Sequence, residues 1–471
     1  MMTATAVLLA SLALVTQDQS ALRAAPRDAG PLQAVLWQGD VLEVRGARLD
    51  YLQVYDHRRE RAGYIRASQV RLTDASAAEA AELLAVVRFL RDTPGAEALG
   101  IAYAAAYLKA VPAGALTAEP FDAMGSLAER LARRASAKQG KANDATLAAH
   151  LEVAAGYGVR LVSLAPVIGP MQICYDGEAF RRVLTMNSAT QEQRARAALA
   201  LSRPDCADPA LSLSQREAQQ RDQAALLDRI ELATLTEPLK NRVRSRRAGL
   251  SAALAFGQAR RGEAALTAGQ QALRELAAVN KAELSDEDKA EYNDAAMRVA
   301  ASRWAAEPVV ADAASLSIRT EPGEPGQTCA LLMAAKASAP LARRCSYGVI
   351  WPASARVNAA GSAVALAVQP LGTWRELWVF KRGSEGWRVE VLPPAAADPL
   401  LGYIEFAGWT PDGERLLVAR EARSDGRWQR SFEVLALTTL NTEKQASSPQ
   451  LLSAFQRWQS ADWRSQTVSL R

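Results

Sequence analysis

The sequence predicts a multidomain α+β chain. A small N-terminal β module is followed by an Ala-rich, all-α region of helical hairpins and a C-terminal antiparallel β domain. Three observations carry this reading. The 471 residues suffice for about two to four domains. Tryptophan is partitioned, with Trp37 alone near the start, Trp304 next, and eight more between Trp351 and Trp463. The Trp-free stretch of roughly 75–303 is rich in Ala, Leu, Arg, Glu and Gln, which are strong helix formers. With 49% hydrophobic and 23% charged residues, the chain has the composition of core-forming material, not of a disordered one.

The first element is an apolar run ending at Val15, followed by the polar Thr16-Gln-Asp-Gln-Ser20. Its length suits the hydrophobic region of a signal peptide and falls short of a membrane span. A leader over residues 1–20, and hence a periplasmic or secreted protein, is expected. An N-terminal core element is the alternative, because no Lys or Arg precedes the run and no clean Ala-x-Ala site follows it. The absence of a Cys just after the run argues against a lipoprotein anchor, and no later stretch is apolar enough for a transmembrane span.

Residues 21–72 alternate as short strands do, in Ala34–Trp37, Asp40–Arg45, Tyr51–Tyr55 and Gly63–Arg66, with turn material between them. The motifs Ala21-Leu-Arg-Ala-Ala-Pro26, Trp37-Gln-Gly-Asp40, Val41-Leu-Glu-Val44, Tyr51-Leu-Gln-Val54 and Gly63-Tyr-Ile65 follow one another in order. This stretch resembles the bacterial SH3-like (SH3b) domain, with Leu-Arg-Ala at its start and Tyr51 and Tyr64 where Trp is commoner. The resemblance implies a small β-barrel that binds cell-wall material or protein without catalysis. Trp37, Tyr51, Tyr55 and Tyr64 are its candidate ligand-binding residues.

Residues 75–305 read as a succession of amphipathic helices. Ser76-x-x-Glu79, Thr190-x-x-Gln193 and Ser214-x-x-Glu217 are candidate capping boxes. Short connections favour antiparallel helical hairpins. A strand-like break over Arg160–Pro166 and Met171–Tyr175 suggests a subdivision near 165–175.

From 309 to 471 strands return. Arg356-Val-Asn-Ala-Ala-Gly361 and Trp409-Thr-Pro-Asp-Gly413 each precede a strand pair, their glycines 52 residues apart. The second is similar to the W-S-P-D-G turn of TolB-like β-propeller blades. The resemblance implies a propeller-like fragment, since the length allows three blades at most.

Little in the sequence suggests catalysis. The two histidines exclude a multi-histidine metal site. His57 lies in the turn Asp56-His-Arg-Arg-Glu60 and reads as solvated, while His150 reads as a packing or surface residue of an Ala-rich helix. Recognised nucleophile, phosphate-loop, zinc-protease and dinucleotide motifs are missing, so no catalytic residue, cofactor or metal ligand is assigned. Asp176 reads as a helix cap beside Glu178, and Asp412 as a turn residue. The basic run Lys240–Arg247 reads as a solvated helix face or, less simply, a surface for an anionic partner.

Cys174, Cys206, Cys329 and Cys345 allow three disulfide pairings. The pairing that keeps each bond within a domain is Cys174–Cys206 and Cys329–Cys345, each worth about 3–4 kcal/mol. A net charge of +5 on 471 residues is too thin for nucleic acid. The expected function is that of an exported, non-catalytic binding or scaffold protein of the bacterial envelope, whose partner is cell-wall material or an envelope protein. A carboxylate-dependent envelope hydrolase and a periplasmic assembly factor resembling TolB-like propellers are the alternatives.

Overall fold

The computed structural model describes residues 12–137, 145–165, 171–308, 315–335, 337–395, 401–424 and 427–464. The chain divides into two compact units, Met1–Ser212 and Leu213–Arg471.

Among its described residues, the first unit begins with seven strands: β1 (Leu12–Val15), β2 (Ser20–Arg23), β3 (Leu32–Leu36), β4 (Val41–Arg48), β5 (Tyr51–Asp56), β6 (Arg61–Arg66) and β7 (Val70–Thr73). They form one antiparallel sheet in the order β3-β2-β6-β5-β4-β1-β7. The expected barrel is not closed: β1 pairs with both β4 and β7 and extends the sheet, leaving β3 and β7 as its ends. Ala13, Val15, Leu22, Leu36, Leu42, Leu52, Val54 and Ile65 make its core.

The position of β1 bears on the expected leader. Of the residues assigned to it by sequence, Leu12–Val15 form β1 and Ser20 begins β2, and Ala13, Leu14 and Val15 are buried. An apolar run of this length satisfies a core strand as well as a leader, so the core-element alternative accounts for residues 12–15. Residues 1–11 lie outside the described residues.

Among the described residues of this unit, six helices and a ribbon follow: α1 (Ala80–Arg91), α2 (Glu97–Ala110), α3 (Glu119–Ala137), α4 (Ala145–Gly156), β8 (Leu161–Leu164) paired with β9 (Gln172–Tyr175), α5 (Glu178–Thr185) and α6 (Gln191–Leu201). Leu14 of β1 packs with Leu83, Val87, Leu90, Tyr103 and Tyr107, joining sheet and helices in one core. The ribbon does not divide the helical region, because Ile173 and Tyr175 pack on the core of α3 and α4. The Cys174–Cys206 disulfide ties it to the segment after α6.

Helix starts follow local chemistry. Thr190 and Gln193 form the expected capping box at α6. Ser76 does not cap α1, which begins at Ala80 with Glu79 as its N-cap, and the Glu79 carboxylate accepts from the Thr73 hydroxyl. Asp176 is not the cap expected of it: the N-cap of α5 is Gly177, and Asp176, one residue earlier, accepts the backbone N–H of Glu178 at 3.0 Å.

The second unit begins with four helices, α7 (Leu213–Asp228), α8 (Glu237–Arg260), α9 (Leu266–Ala277) and α10 (Asp286–Ser302). Strands β10 (Leu316–Pro322), β11 (Thr328–Ala334) and β12 (Ala342–Ser346) form a three-stranded antiparallel sheet. Cys329 and Cys345 stand directly opposite in its register and are disulfide-bonded.

A nine-stranded sheet follows as two antiparallel meanders. The first holds β13 (Val349–Ile350), β14 (Arg356–Val357), β15 (Ala363–Leu371), β16 (Trp374–Gly383) and β17 (Gly386–Leu392). The second holds β18 (Gly402–Trp409), β19 (Arg415–Ser424), β20 (Arg427–Ala436) and β21 (Thr442–Ala446), ahead of α11 (Ser453–Trp458). A short parallel pairing of β16 with β18 joins them. The echoed turns occupy corresponding places, with Gly361 at φ +63° and Gly413 at φ +71°, where a Cβ would be strained. Asn358 donates to the Gly413 carbonyl at 3.2 Å, so the two turns touch.

The sequence placed a domain boundary between helices and strands near 305–309, yet α7 to α10 belong with the C-terminal sheets. The reason is a shared core. Tyr292, Ala296, Met297 and Ala300 pack with Leu401 and Tyr403. Arg375, fully buried, donates to the Ala300 carbonyl at 2.5 Å and pairs with Glu405 at 3.0 Å. Arg303 also donates to Glu405. Burial would raise the Glu405 carboxyl, but the two guanidiniums outweigh it and hold it below the usual carboxylate range.

Candidate functional site

The candidate ligand-binding residues lie on the N-terminal sheet. Alternation along β5 sends Leu52 and Val54 into the core and turns Tyr51, Gln53 and Tyr55 to the opposite face. The register places Tyr64 of β6 opposite Gln53, and Arg66 opposite Tyr51. Tyr55 and Tyr64 are therefore diagonal neighbours, about 7–8 Å apart. On β2, Arg23 lies beside Tyr64.

The tyrosines on this face differ in availability. Tyr51 is 3% exposed, and its hydroxyl donates to Asp28 at 2.7 Å, with the Arg66 guanidinium 5.1 Å from its ring. Hydrogen bonds from Arg66 and Tyr51 hold the Asp28 carboxyl below its ordinary range. Tyr51 thus belongs to the framework. Tyr55 and Tyr64 are half-buried and keep surface. Arg45 lies 4.1 Å from the Tyr55 ring centroid, and His57 meets that ring edge-on at 4.8 Å. Trp37 is not on β5 or β6; it follows β3, and its backbone N–H donates to Asp40.

The histidines have opposite surroundings. His57 is exposed, as expected of a turn residue, and its Nε2 lies 2.6 Å from Glu43. His150 is 1% exposed and is neither a surface residue nor part of a purely apolar contact. Arg134 approaches its Nδ1 at 2.7 Å and Asp18 its Nε2 at 2.9 Å. Arginine can only donate, so Nδ1 accepts and Nε2 carries the proton that Asp18 receives. The Gln38 amide, 3.1 Å from Nε2, already donates to Asp18 and to the Gly95 carbonyl. The polar chain continues from Arg134 to Glu97, which also accepts from Arg130 at 2.8 Å. This arrangement fixes one neutral tautomer and ties sheet to helices; it leaves His150 no free basic nitrogen.

Sequence reasoning missed a cavity in the second unit. It holds about 500 Å³ and is lined by α7, α8 and α9, with Asp228, Arg247, Gln258 and Glu275 among its walls. Its one signal in the sequence is the run Lys240–Arg247, which is not the solvated face expected. Arg242 pairs with Asp288 at 2.6 Å, Arg246 with Glu291 at 2.5 Å, and Arg247 turns into the cavity. Helical hairpins bring acids from distant sequence onto this face, which a local charge count does not register.

Among the described residues, no group of three or more His, Cys, Asp or Glu side chains is placed to hold a metal ion. No described helix is long and apolar enough to cross a membrane. Compared with family models, curated proteins and solved structures, the chain matches none.

Proposed function

We propose that the chain is an exported, non-catalytic binding protein of the bacterial envelope, whose SH3b-like sheet engages cell-wall material or an envelope protein. The observation that carries this reading is the face formed by Tyr55, Tyr64, Arg45, Arg23 and Gln53, where half-exposed rings stand among guanidiniums and an amide. Aromatic rings with polar tips supply contact area at low entropic cost, and guanidiniums bind carboxylates in fixed geometry. The two disulfides support an oxidising compartment.

The hydrolase alternative needs two carboxylates facing each other across a cleft. In the cavity, Asp228 and Glu275 flank Arg247 at 3.8 and 3.6 Å, an arrangement that suits recognition more than acid–base exchange. The assembly-factor alternative draws support from the two meanders and their matching glycine turns.

The test is co-sedimentation of the full chain with purified sacculi, alongside the double variant Tyr55→Ala, Tyr64→Ala. Binding by the parent and at least a tenfold loss in the variant is expected. Failure of the parent to sediment removes the wall ligand. Capture of a stable partner from envelope extract would then favour the assembly reading.

A further inference from the structure

The cavity of the second unit carries its own chemistry, independent of the N-terminal sheet. Along α8, Arg247, Ser251, Leu254 and Gln258 recur at helical spacing and form one stripe of the wall. Eleven residues of helix separate the first from the last, a groove length of about 16 Å. That accommodates about five residues of extended chain. From α9, Thr267, Gln271 and Glu275 make the facing stripe.

Two buried polar atoms on these walls lack hydrogen-bond partners among the described residues: Arg247 Nε, a donor, and Gln258 Oε1, an acceptor. One terminal nitrogen of Arg247 donates to the Leu227 and Ile230 carbonyls at 2.7 and 2.8 Å, and the other lies 3.6 Å from Glu275. Asp228 stands 3.8 Å from Nε, beyond hydrogen-bond reach. An unmet buried donor or acceptor costs about 1–3 kcal/mol, so such a pair favours a ligand that answers both. A peptide backbone does: its carbonyl accepts from Arg247 Nε and its N–H donates to Gln258 Oε1.

The charged end selects further. Asp228 and Glu275 both face Arg247, and Arg244, which also acts on Glu275, is itself held by Glu237 at 4.0 Å and by the Ala278 carbonyl, so the cavity wall keeps an excess negative charge. Glu275 is also half-buried, and burial raises its carboxyl above the ordinary range, a cost that a nearby cation would relieve. We propose that the groove between α7, α8 and α9 binds an extended peptide segment carrying a basic side chain, its backbone on Arg247 and Gln258 and its cation between Asp228 and Glu275.

The test uses the full chain and two fluorescein-labelled pools of acetylated pentapeptide amides, mixed in sequence except for a central Lys in one and a central Glu in the other. Fluorescence polarisation should show the Lys pool binding at least fivefold more tightly. Gln258→Leu and Glu275→Gln should each weaken it at least fivefold. Gln258→Leu removes an acceptor that has no partner, so its thermal transition should match the parent's and any loss of binding reports the groove. The proposal is overturned if neither pool binds, if the Glu pool binds as well as the Lys pool, or if both variants bind as the parent does. Spermine displacing a bound Lys pool at its own charge-matched concentration, with Gln258→Leu silent, would reduce the groove to a simple cation site and likewise overturn it.

Discussion

Glu97 is the residue on which the first unit's polar clamp turns. It is 1% exposed and accepts from Arg130, from Arg134 and from the Gly95 backbone N–H. Replacing it with alanine leaves two guanidiniums facing a void. Removing one partner of a buried ion pair costs about 3–5 kcal/mol. The lower end applies here, because Arg130 keeps the Leu90, Arg91 and Thr93 carbonyls and both arginines retain some contact with water. A loss of about 3 kcal/mol speeds amide exchange through unfolding by about two powers of ten. Hydrogen exchange read by mass spectrometry on peptides of α2 and α3 isolates this unit from the rest of the chain. Glu119→Ala is the control: its partner Arg88 is largely exposed, so the change should stay within about 1 kcal/mol. Exchange in Glu97→Ala that rises less than about fivefold, or no more than in Glu119→Ala, would refute the clamp.

Other outcomes follow from the same contacts. A chain beginning at Ala21 lacks β1 and the buried Leu14 and Val15, a loss of roughly 3–6 kcal/mol that should unfold the N-terminal sheet, as read by exchange of β4 and β7. Arg194→Lys should cost about 1–3 kcal/mol by thermal unfolding, because one ammonium cannot serve the Leu184, Met186 and Ala189 carbonyls together; an unchanged transition would speak against it. Glu275 should leave a pH signature. Its folded carboxyl titrates above its ordinary value of 4.5, so the folded state holds the proton more tightly than the unfolded one. Stability is therefore lost as pH rises from 4.5 through the folded value, and Glu275→Gln should flatten that slope in urea titrations.

The sequence carried the element types well where the signal was local. Period-two alternation marked the strands of residues 32–66, and Thr190-x-x-Gln193 marked the start of α6, because both depend on neighbours within a few residues. It carried the disulfide pairing too, since loop closure favours partners that fold together. The apolar run before Val15 was ambiguous for a physical reason: a leader and a buried strand ask for the same side chains. The boundary near 305–309 failed because cohesion between helices and sheet comes from long-range pairs such as Arg303 with Glu405, about which local composition is silent. For the same reason His150 looked inert and the α7–α9 cavity went unseen. The groups that decide them lie away in sequence: Asp18 for His150, and Asp228 and Glu275 for Arg247 on the cavity wall.

Those long-range pairs also explain the arginine content. Helix C-termini leave carbonyls without intrahelical donors. Here arginines from other positions supply them: Arg130 at the end of α1, Arg194 after α5, Arg247 after α7 and Arg375 near the end of α10. A guanidinium offers five donors in a rigid plane and stays charged when buried, which lysine's compact ammonium does not match. The same group then reaches a carboxylate with its remaining nitrogens, as Arg130 does with Glu97 and Arg375 with Glu405. Positive charge used in this way is structural, so a net charge of +5 says little about anionic partners. What distinguishes Arg247 is that its Nε stays unmet beside an open cavity after its capping role is satisfied. Arg134 and Arg375 also keep buried nitrogens without hydrogen-bond partners, but among the described residues it is Arg247 whose unmet donor belongs to a residue of the cavity wall, and there a ligand has room to answer it.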